Sequence, residues 1–307
     1  MIETQCFICE TDDSEPFLLA KDTLGITDQV FSLSKCRGCG LVFLNPSPDP
    51  KEMEAFYPDG YWARRESRIE GYYRDIITHF EIRTLRKFLG KGGRLLDVGS
   101  GAGEFLYCAK RLGFDCYGVE VSEDMVKYSI ETFGLKNVVN SDLLSASFED
   151  SFFDIIVFNH VVEHLYNPLE TLMEARRILK RDGILVIQIQ NIDSCQFRAF
   201  GKKWLGLSLP QHLYQFTPQT IRFALEKVGF DVFKTLHHSI RNSPIFVSFS
   251  LTRLNAYNLY LKEKEGKSVL FQKLLILFLN WTFLPLTLLE GLLKKGGVIT
   301  VIARKEI

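Results

Sequence analysis

The sequence predicts an α/β fold: a doubly wound sheet preceded by a small cysteine-bearing module, with a helical insertion before the last strand. Three observations predict it. From residue 94 onward, short apolar runs alternate with amphipathic stretches. The first of those runs ends in a turn with glycine at 99, 101 and 103. Near the start, Cys6-x2-Cys9 and Cys36-x2-Cys39 are separated by 26 residues.

Composition narrows the function classes. The 307 residues are 46% hydrophobic and 24% charged, which excludes a disordered or collagen-like chain. Lys plus Arg is 37 and Asp plus Glu is 37. That balance argues against nonspecific nucleic-acid binding. Residues 1–45 carry three Lys/Arg against seven Asp/Glu, so a basic nucleic-acid patch is not expected there either. The chain opens Met1-Ile2-Glu3, with no basic stretch leading into an apolar one. The seven cysteines are therefore expected in a reducing cytosol. Cys108, Cys116 and Cys195 are expected to be buried single thiols.

The elements follow in order. Residues 1–45 form the cysteine module, and 46–93 a linker and helical lead-in. Asn45-Pro46-Ser47-Pro48-Asp49-Pro50 reads as the linker. Ile69, Tyr73, Ile76, Ile77, Phe80 and Phe88 recur at helical spacing and predict a helix over 66–89. Residues 94–238 form the core. Its strands are expected at 95–98, 116–119, 138–139, 155–158 and 184–189, paired in parallel. Ser122, followed by Glu123 and Asp124, predicts one helix start, and Asn167 capping Pro168 another. An acceptor loop spans 192–220. Further strands are expected at 230–235 and 298–303. Between them lies a leucine-rich helical insertion over 239–296, and 297–307 carries the last strand.

The turn from Asp97 to Gly103 carries the first chemistry. Glycines there let the backbone bend sharply and approach a ligand. The helix start behind it offers free amide donors. A dinucleotide site wants its third glycine at 104, but that residue is Glu104, whose charge opposes a pyrophosphate. Glu120 closes the next strand, where an acid accepts from ribose hydroxyls. Asp142 follows the third strand and can accept from an adenine amino group. Together these describe a nucleoside with a short zwitterionic tail and no phosphate.

On these motifs the sequence resembles the class I S-adenosylmethionine-dependent methyltransferases, over residues 94–191 and in outline over the last two strands. The resemblance implies a Rossmann-like sheet with S-adenosylmethionine as cofactor. Asp97, Gly99, Ser100, Gly101 and Gly103 would hold the methionine end. Glu120 and Val121 would hold the ribose, and Asp142 with Leu143 the adenine. Asn159 and His160, ending the fourth strand, would face the methyl group.

Two C-x2-C pairs suit a tetrahedral site, so Cys6, Cys9, Cys36 and Cys39 are expected to hold a structural Zn2+. A module this small, with few large apolar residues, is expected not to fold without it. Such modules occur in a branch of the family that resembles sugar methyltransferases. The segments 36–46 and 209–217 fit that branch. The long C-terminal domain of the sugar C-methyltransferases is not found, so O- or N-transfer to a sugar or polysaccharide precursor is expected. A quinone or polyketide O-methyltransferase is the alternative enzyme. A noncatalytic S-adenosylmethionine-binding scaffold is the alternative outside enzymes.

A hydroxyl acceptor calls for a base, and histidine titrates near neutrality. His212, in an aromatic-rich loop, ranks first, then His160, with His164 in the same region. His160, Glu163 and His164 share one face of a helical turn and could ligate a metal. Alternatively, Glu163 and His164 orient a loop. Ubiquinone-pathway O-methyltransferases look similar here but carry Glu at the position of His160.

Residues 274–289 contain no charge but are interrupted by Asn280, Thr282, Pro285 and Thr287. A spanning helix needs about 20 apolar residues, so this segment is expected not to cross a membrane. Three readings remain: a core helix, a dimer contact, or peripheral membrane contact through 269–293. Lys262, Lys264, Lys267, Lys273, Lys294 and Lys295 favour an anionic leaflet, which would suit a lipid-linked saccharide acceptor at the inner face of the membrane. The oligomeric state cannot be read from the sequence.

Overall fold

The computed structural model describes residues 1–57, 68–90, 92–252, 254–255, 259 and 267–306. β1 (Ser14–Lys21), β2 (Val30–Cys36) and β3 (Val42–Leu44) make an antiparallel meander. The short helix α1 (Pro50–Met53) opens on a capping box. The Asp49 carboxylate accepts the Glu52 N–H, and the Glu52 side chain accepts the Asp49 N–H. The lead-in helix α2 (Arg68–Leu89) follows; residues 66 and 67 of the helix that the periodicity predicts lie outside the described residues.

The core alternates strand and helix: β4 (Gly93–Val98), α3 (Glu104–Arg111), β5 (Phe114–Glu120), α4 (Glu123–Phe133), β6 (Val138–Asn140), β7 (Phe153–Asn159), α5 (Pro168–Ile178) and β8 (Leu179–Gln190). Then come α6 (Cys195–Phe200), β9 (Tyr214–Gln215), α7 (Pro218–Lys227), β10 (Phe230–Leu236), α8 (Asn242–Thr252), α9 (Lys267–Leu292) and β11 (Val298–Lys305). The seven-stranded sheet has the order β10-β11-β8-β7-β4-β5-β6. β4 to β8 run parallel, but β11 is antiparallel to both β8 and β10. The sheet is thus mixed: β10 and β11 pair as the arms of a long hairpin, with α8 and α9 in place of its turn.

Strand alternation buries both faces. Along β7, Ile155 and Val157 join one apolar layer with Phe105 and Leu106, while Ile156 and Phe158 join the other with Leu172 and Ile178. Ser122 caps α4 through the Met125 N–H as expected. Asn167 does not cap α5 with its side chain; Pro168 supplies the start, and the Asn167 carbonyl accepts from Thr171. Cys108 is buried, whereas Cys116 and Cys195 are half-buried.

The cysteine module is not an island. β9, from the acceptor loop, pairs with β3 and completes a sheet of order β1-β2-β3-β9. Phe31, Leu33, Phe43 and Leu44 sit in the same apolar cluster as the core strands. The Tyr166 hydroxyl donates to Pro48 O at 3.0 Å, and Lys227 donates to Ile8 O at 2.7 Å. The meander thus takes a strand and part of its core from the rest of the chain.

The insertion also differs from expectation. α9 is one helix of 26 residues with Pro285 inside it. By length and composition it could cross a membrane, although the sequence reading judged the segment too short and too broken. Lys262 and Lys264 lie outside the described residues.

Phe43 is fully buried where the two sheets share their core. Phe43→Ala should cost about 3–5 kcal/mol. Urea unfolding followed by circular dichroism should show this as one shifted transition rather than two.

Candidate donor and acceptor site

The carboxyl ends of β5, β4 and β7 lie side by side, and the order of the strands reverses at β4: β5 and β6 follow on one side, β7 and β8 on the other. Such a crevice is where open α/β sheets take ligands. After Val98 the backbone bends, and the Gly99 and Ser100 N–H groups both donate to Val119 O, at 2.9 and 3.1 Å. Gly101 has φ +52°, and a Cβ there would meet open space. Only glycine takes that turn without strain, and it leaves the loop bare toward the crevice.

Glu120 is the brace. Its Oε2 accepts the Gly101 N–H at 2.8 Å and its Oε1 accepts the Ser122 N–H at 2.9 Å. Each carboxylate oxygen keeps a further lone pair for a ligand hydroxyl. Asn140, which the sequence reading passed over, donates to Glu120 O and Val121 O at 3.0 and 2.9 Å and clamps the strand end. Val121 is 69% exposed and offers an apolar wall, while Leu143 is buried. Asp142 is exposed and accepts the Ser145 N–H with one oxygen.

Asp97 is only 2% exposed. Burial, then the nearby Glu120 and Glu104 carboxylates, push its carboxyl well above the usual range. Asp97 Oδ1, Ser100 Oγ and Asn159 Oδ1 are buried with no hydrogen-bond partner in the protein. Native proteins seldom leave such atoms unpaired, so their grouping marks a place for a polar ligand. An amino-acid ammonium would satisfy Asp97 and Asn159 and relieve the crowding of acids. The residues present fit S-adenosylmethionine in this respect. Glu104 Oε2 lies 4.0 Å from the Arg241 guanidinium, a partner the sequence gave no signal for.

A second group gathers beyond β7. His160 has φ +57°, a left-handed conformation. Its Nδ1 lies 3.3 Å from Glu163 Oε1 and 3.0 Å from Gln190 Nε2, and its Nε2 lies 2.8 Å from Asn242 Nδ2. The ring is 21% exposed. Glu163 is fully buried. Burial raises its carboxyl, but the hydrogen bond from His160 and the fields of His160, His164 and His212 outweigh this and hold it at about 2. His212 is 5% exposed. Burial, then the field of His164, push it down to about 3. Its Nδ1 meets Gly206 O at 3.1 Å and its Nε2 meets Gln190 Nε2 at 3.3 Å. His164 Nδ1 meets Gln211 O at 2.8 Å.

The sequence reading placed His160, Glu163 and His164 on one face, able to ligate a metal or, for Glu163 and His164, to orient a loop. The structure instead draws Glu163, His164 and His212 together, with ligand atoms within 4.8 Å of one another. Gln190 and Asn242 complete this network. They escaped the sequence reading because they come from β8 and α8.

The four module cysteines also converge, with ligand atoms within 4.8 Å of one another and Cys6 Sγ 3.4 Å from Cys39 Sγ. The two knuckles repeat one geometry. Gly40 (φ +80°) donates its N–H to Cys36 O, and Glu10 (φ +54°) donates its N–H to Cys6 O. Burial pushes the Cys39 thiol up to about 12 and Cys6 up to about 11. For Cys36, burial is outweighed by the N–H groups of Cys39 and Gly38 and by the Cys6 side chain, which hold its thiol below the usual value. A divalent ion that prefers four thiolates, such as zinc, suits this donor set.

Comparison with known proteins agrees with this geometry. A family model described as a methyltransferase domain matches residues 61–235, more than half of the chain, and the chain belongs to that family. The ubiquinone biosynthesis O-methyltransferase of Maricaulis maris is 28% identical over 238 residues, covering 69% of this chain and 91% of that protein. An uncharacterized protein of Methanocaldococcus jannaschii is 35% identical over 131 residues, covering 42% of this chain and 60% of its own length. A SAM-dependent methyltransferase from Archaeoglobus fulgidus superposes with a TM-score of 0.52 and 25% identity, covering 77% of this chain and 98% of that one. Fold and family together make this chain an S-adenosylmethionine-dependent methyltransferase.

Glu120→Ala removes charged hydrogen bonds worth roughly 1.5–3 kcal/mol. Affinity for S-adenosylhomocysteine should fall about ten- to a hundredfold by calorimetry. A bound ammonium favours ionised Asp97, so binding should release a proton where Asp97 is protonated in the free protein, and affinity should rise with pH through that range. Titrations in buffers of different ionisation enthalpy should show the release, and Asp97→Asn should abolish it.

Proposed function

We propose that this methyltransferase alkylates a hydroxyl, or an amine, of a saccharide precursor, with His160 as the general base. The observation that carries the base assignment is the strained, pinned geometry of His160. A non-glycine residue in the left-handed region costs about 1–3 kcal/mol and persists only where its surroundings impose it. Here the Glu163 carboxylate at Nδ1 and the Asn242 amide at Nε2 do so, while the Gln190 amide beside the ring donates to His212 Nε2.

The donor, when bound, supplies an electrophilic methyl group on a sulfonium. The residues of this chain do the rest. Glu163 accepts from Nδ1–H and sets the tautomer with the Nε2 lone pair outward, where Asn242 donates to it. An acceptor O–H that takes the place of Asn242 passes its proton to Nε2, and Glu163 stabilises the imidazolium. The turn at 99–103 and the end of β7 align donor and acceptor.

The sequence ranking of His212 ahead of His160 is reversed in this reading. His212 is buried, both its nitrogens are engaged, and its pKa near 3 makes it a poor base at neutral pH. It braces the acceptor loop instead.

The saccharide reading is supported by the cysteine module and by the segments 36–46 and 209–217. A second reading, a quinol hydroxyl, is favoured by the relatives named for ubiquinone biosynthesis. Labelled donor offered to nucleotide sugars, lipid-linked oligosaccharides and demethylated quinols separates the two. Incorporation into quinols alone would overturn the saccharide assignment, and binding without any turnover would favour a scaffold. The quartet Cys6, Cys9, Cys36 and Cys39 is assigned to a structural zinc, which implies a reducing, cytosolic setting.

His160→Ala should lower kcat by about 10²–10⁴-fold with unchanged S-adenosylhomocysteine affinity. His212→Ala should instead lower the melting temperature more than kcat. Metal analysis should find one zinc per chain, and Cys36→Ser should lose it on dialysis against a chelator while core circular dichroism is retained.

A further inference from the structure

α9 is inside out. Its buried positions include Asn280, Thr287 and Glu290, which are polar. Asn280 accepts from the Ser248 hydroxyl of α8 at 2.8 Å, and Glu290 accepts from Gln196 of α6 at 2.9 Å. The opposite face presents Phe271, Leu274, Phe278, Trp281, Leu289 and Leu292 at helical spacing, each more than half exposed. Only 11% of the apolar window within Ser268–Leu292 is buried. A helix buried in a soluble core shows the reverse arrangement. So large an apolar surface on water needs a cover.

Two observations choose that cover. First, the elements before and after α9 in sequence, α8 and β11, both belong to the same folded body. α8 packs beside Leu205 and Ile276 through Phe249, and β11 sits between β8 and β10. The helix is tied down on either side and so lies on a surface instead of crossing one. Second, the C-terminal end of the helix is cationic: Lys294 is exposed just beyond the exposed Leu292 and Leu293, and Lys202 and Lys203 are exposed just after α6, which meets α9 at Glu290 near that same end. Apolar side chains with lysines at one end match an anionic leaflet, the lysines meeting headgroups while the aromatic and leucine side chains enter the acyl boundary.

We propose that α9, backed by α8, is a membrane-docking face that seats this enzyme in one anionic leaflet. The docking face adjoins the candidate chemistry. α8 begins at Asn242, whose amide lies 2.8 Å from His160 Nε2. An acceptor carried on a lipid would therefore reach the base by a short path from the leaflet. That consequence rests on the proposed function, whereas docking itself does not.

The test uses the full chain and vesicles of phosphatidylcholine with or without phosphatidylglycerol. Co-sedimentation at low salt should need the anionic lipid and should weaken at least tenfold at high salt. Emission from Trp281 should shift to the blue on binding, and Trp281→Phe should remove that shift. Phe278→Glu, at an exposed position, should weaken co-sedimentation at least tenfold while S-adenosylhomocysteine affinity stays unchanged. That retained affinity separates a docking failure from a failure of the methyltransferase reading. No sedimentation with anionic vesicles overturns the proposal. So does a dimer in light scattering that Phe278→Glu converts to monomer, since the cover is then a second copy.

Discussion

The bidentate grip of Glu120 on the glycine turn is the interaction on which the donor side depends. One carboxylate takes the N–H of Gly101 from the loop after β4 and the N–H of Ser122 from the start of α4. It ties two strand ends together before any ligand arrives. Its burial and its nearness to Asp97 concentrate negative charge in a water-poor crevice, where charge interactions are stronger than in bulk water. Burial first, and then the neighbouring Glu120 and Glu104 carboxylates, raise Asp97, and a cationic amino-acid tail would offset both.

The acceptor side depends on a comparable economy at Glu163. Its side chain meets His160, and its carbonyl accepts the Leu213 N–H at 2.8 Å. His164 reaches Gln211 O, and the Gln211 amide donates to Phe56 O at 2.8 Å. β9 follows directly and joins the cysteine module's sheet. A short run after β7 thus connects the candidate base, the acceptor loop and the N-terminal module. The module is wall and buttress to the acceptor loop, which gives it a role in this enzyme apart from any metal.

Much of this was legible in the chain. The turn at 99–103, the acid ending β5 and the C-x2-C pairs are local patterns, and local backbone physics enforces them: positive φ at Gly101 and Gly40, free amides at a helix start. The strand-helix alternation was legible for the same reason, because period-2 and 3.6-residue burial leave their mark on sequence. The rank of the histidines was not. His160 and His212 look alike in a string of letters, and only burial and the partners Gln190 and Asn242 separate them. α9 misled for a related reason. Asn280 and Thr287 read as interruptions of an apolar run, yet they are the face that packs inward.

The amino-acid sequence by itself determined the sheet, the donor crevice and the cysteine quartet, since each is written in residues close together along the chain. Tertiary structure alone decided that β11 runs against its neighbours, that β9 completes the module's sheet, which histidines are buried, and which side of α9 meets water. These depend on contacts between residues tens to hundreds of positions apart, where burial and charge are set by what packs alongside and not by the residue's own chemistry.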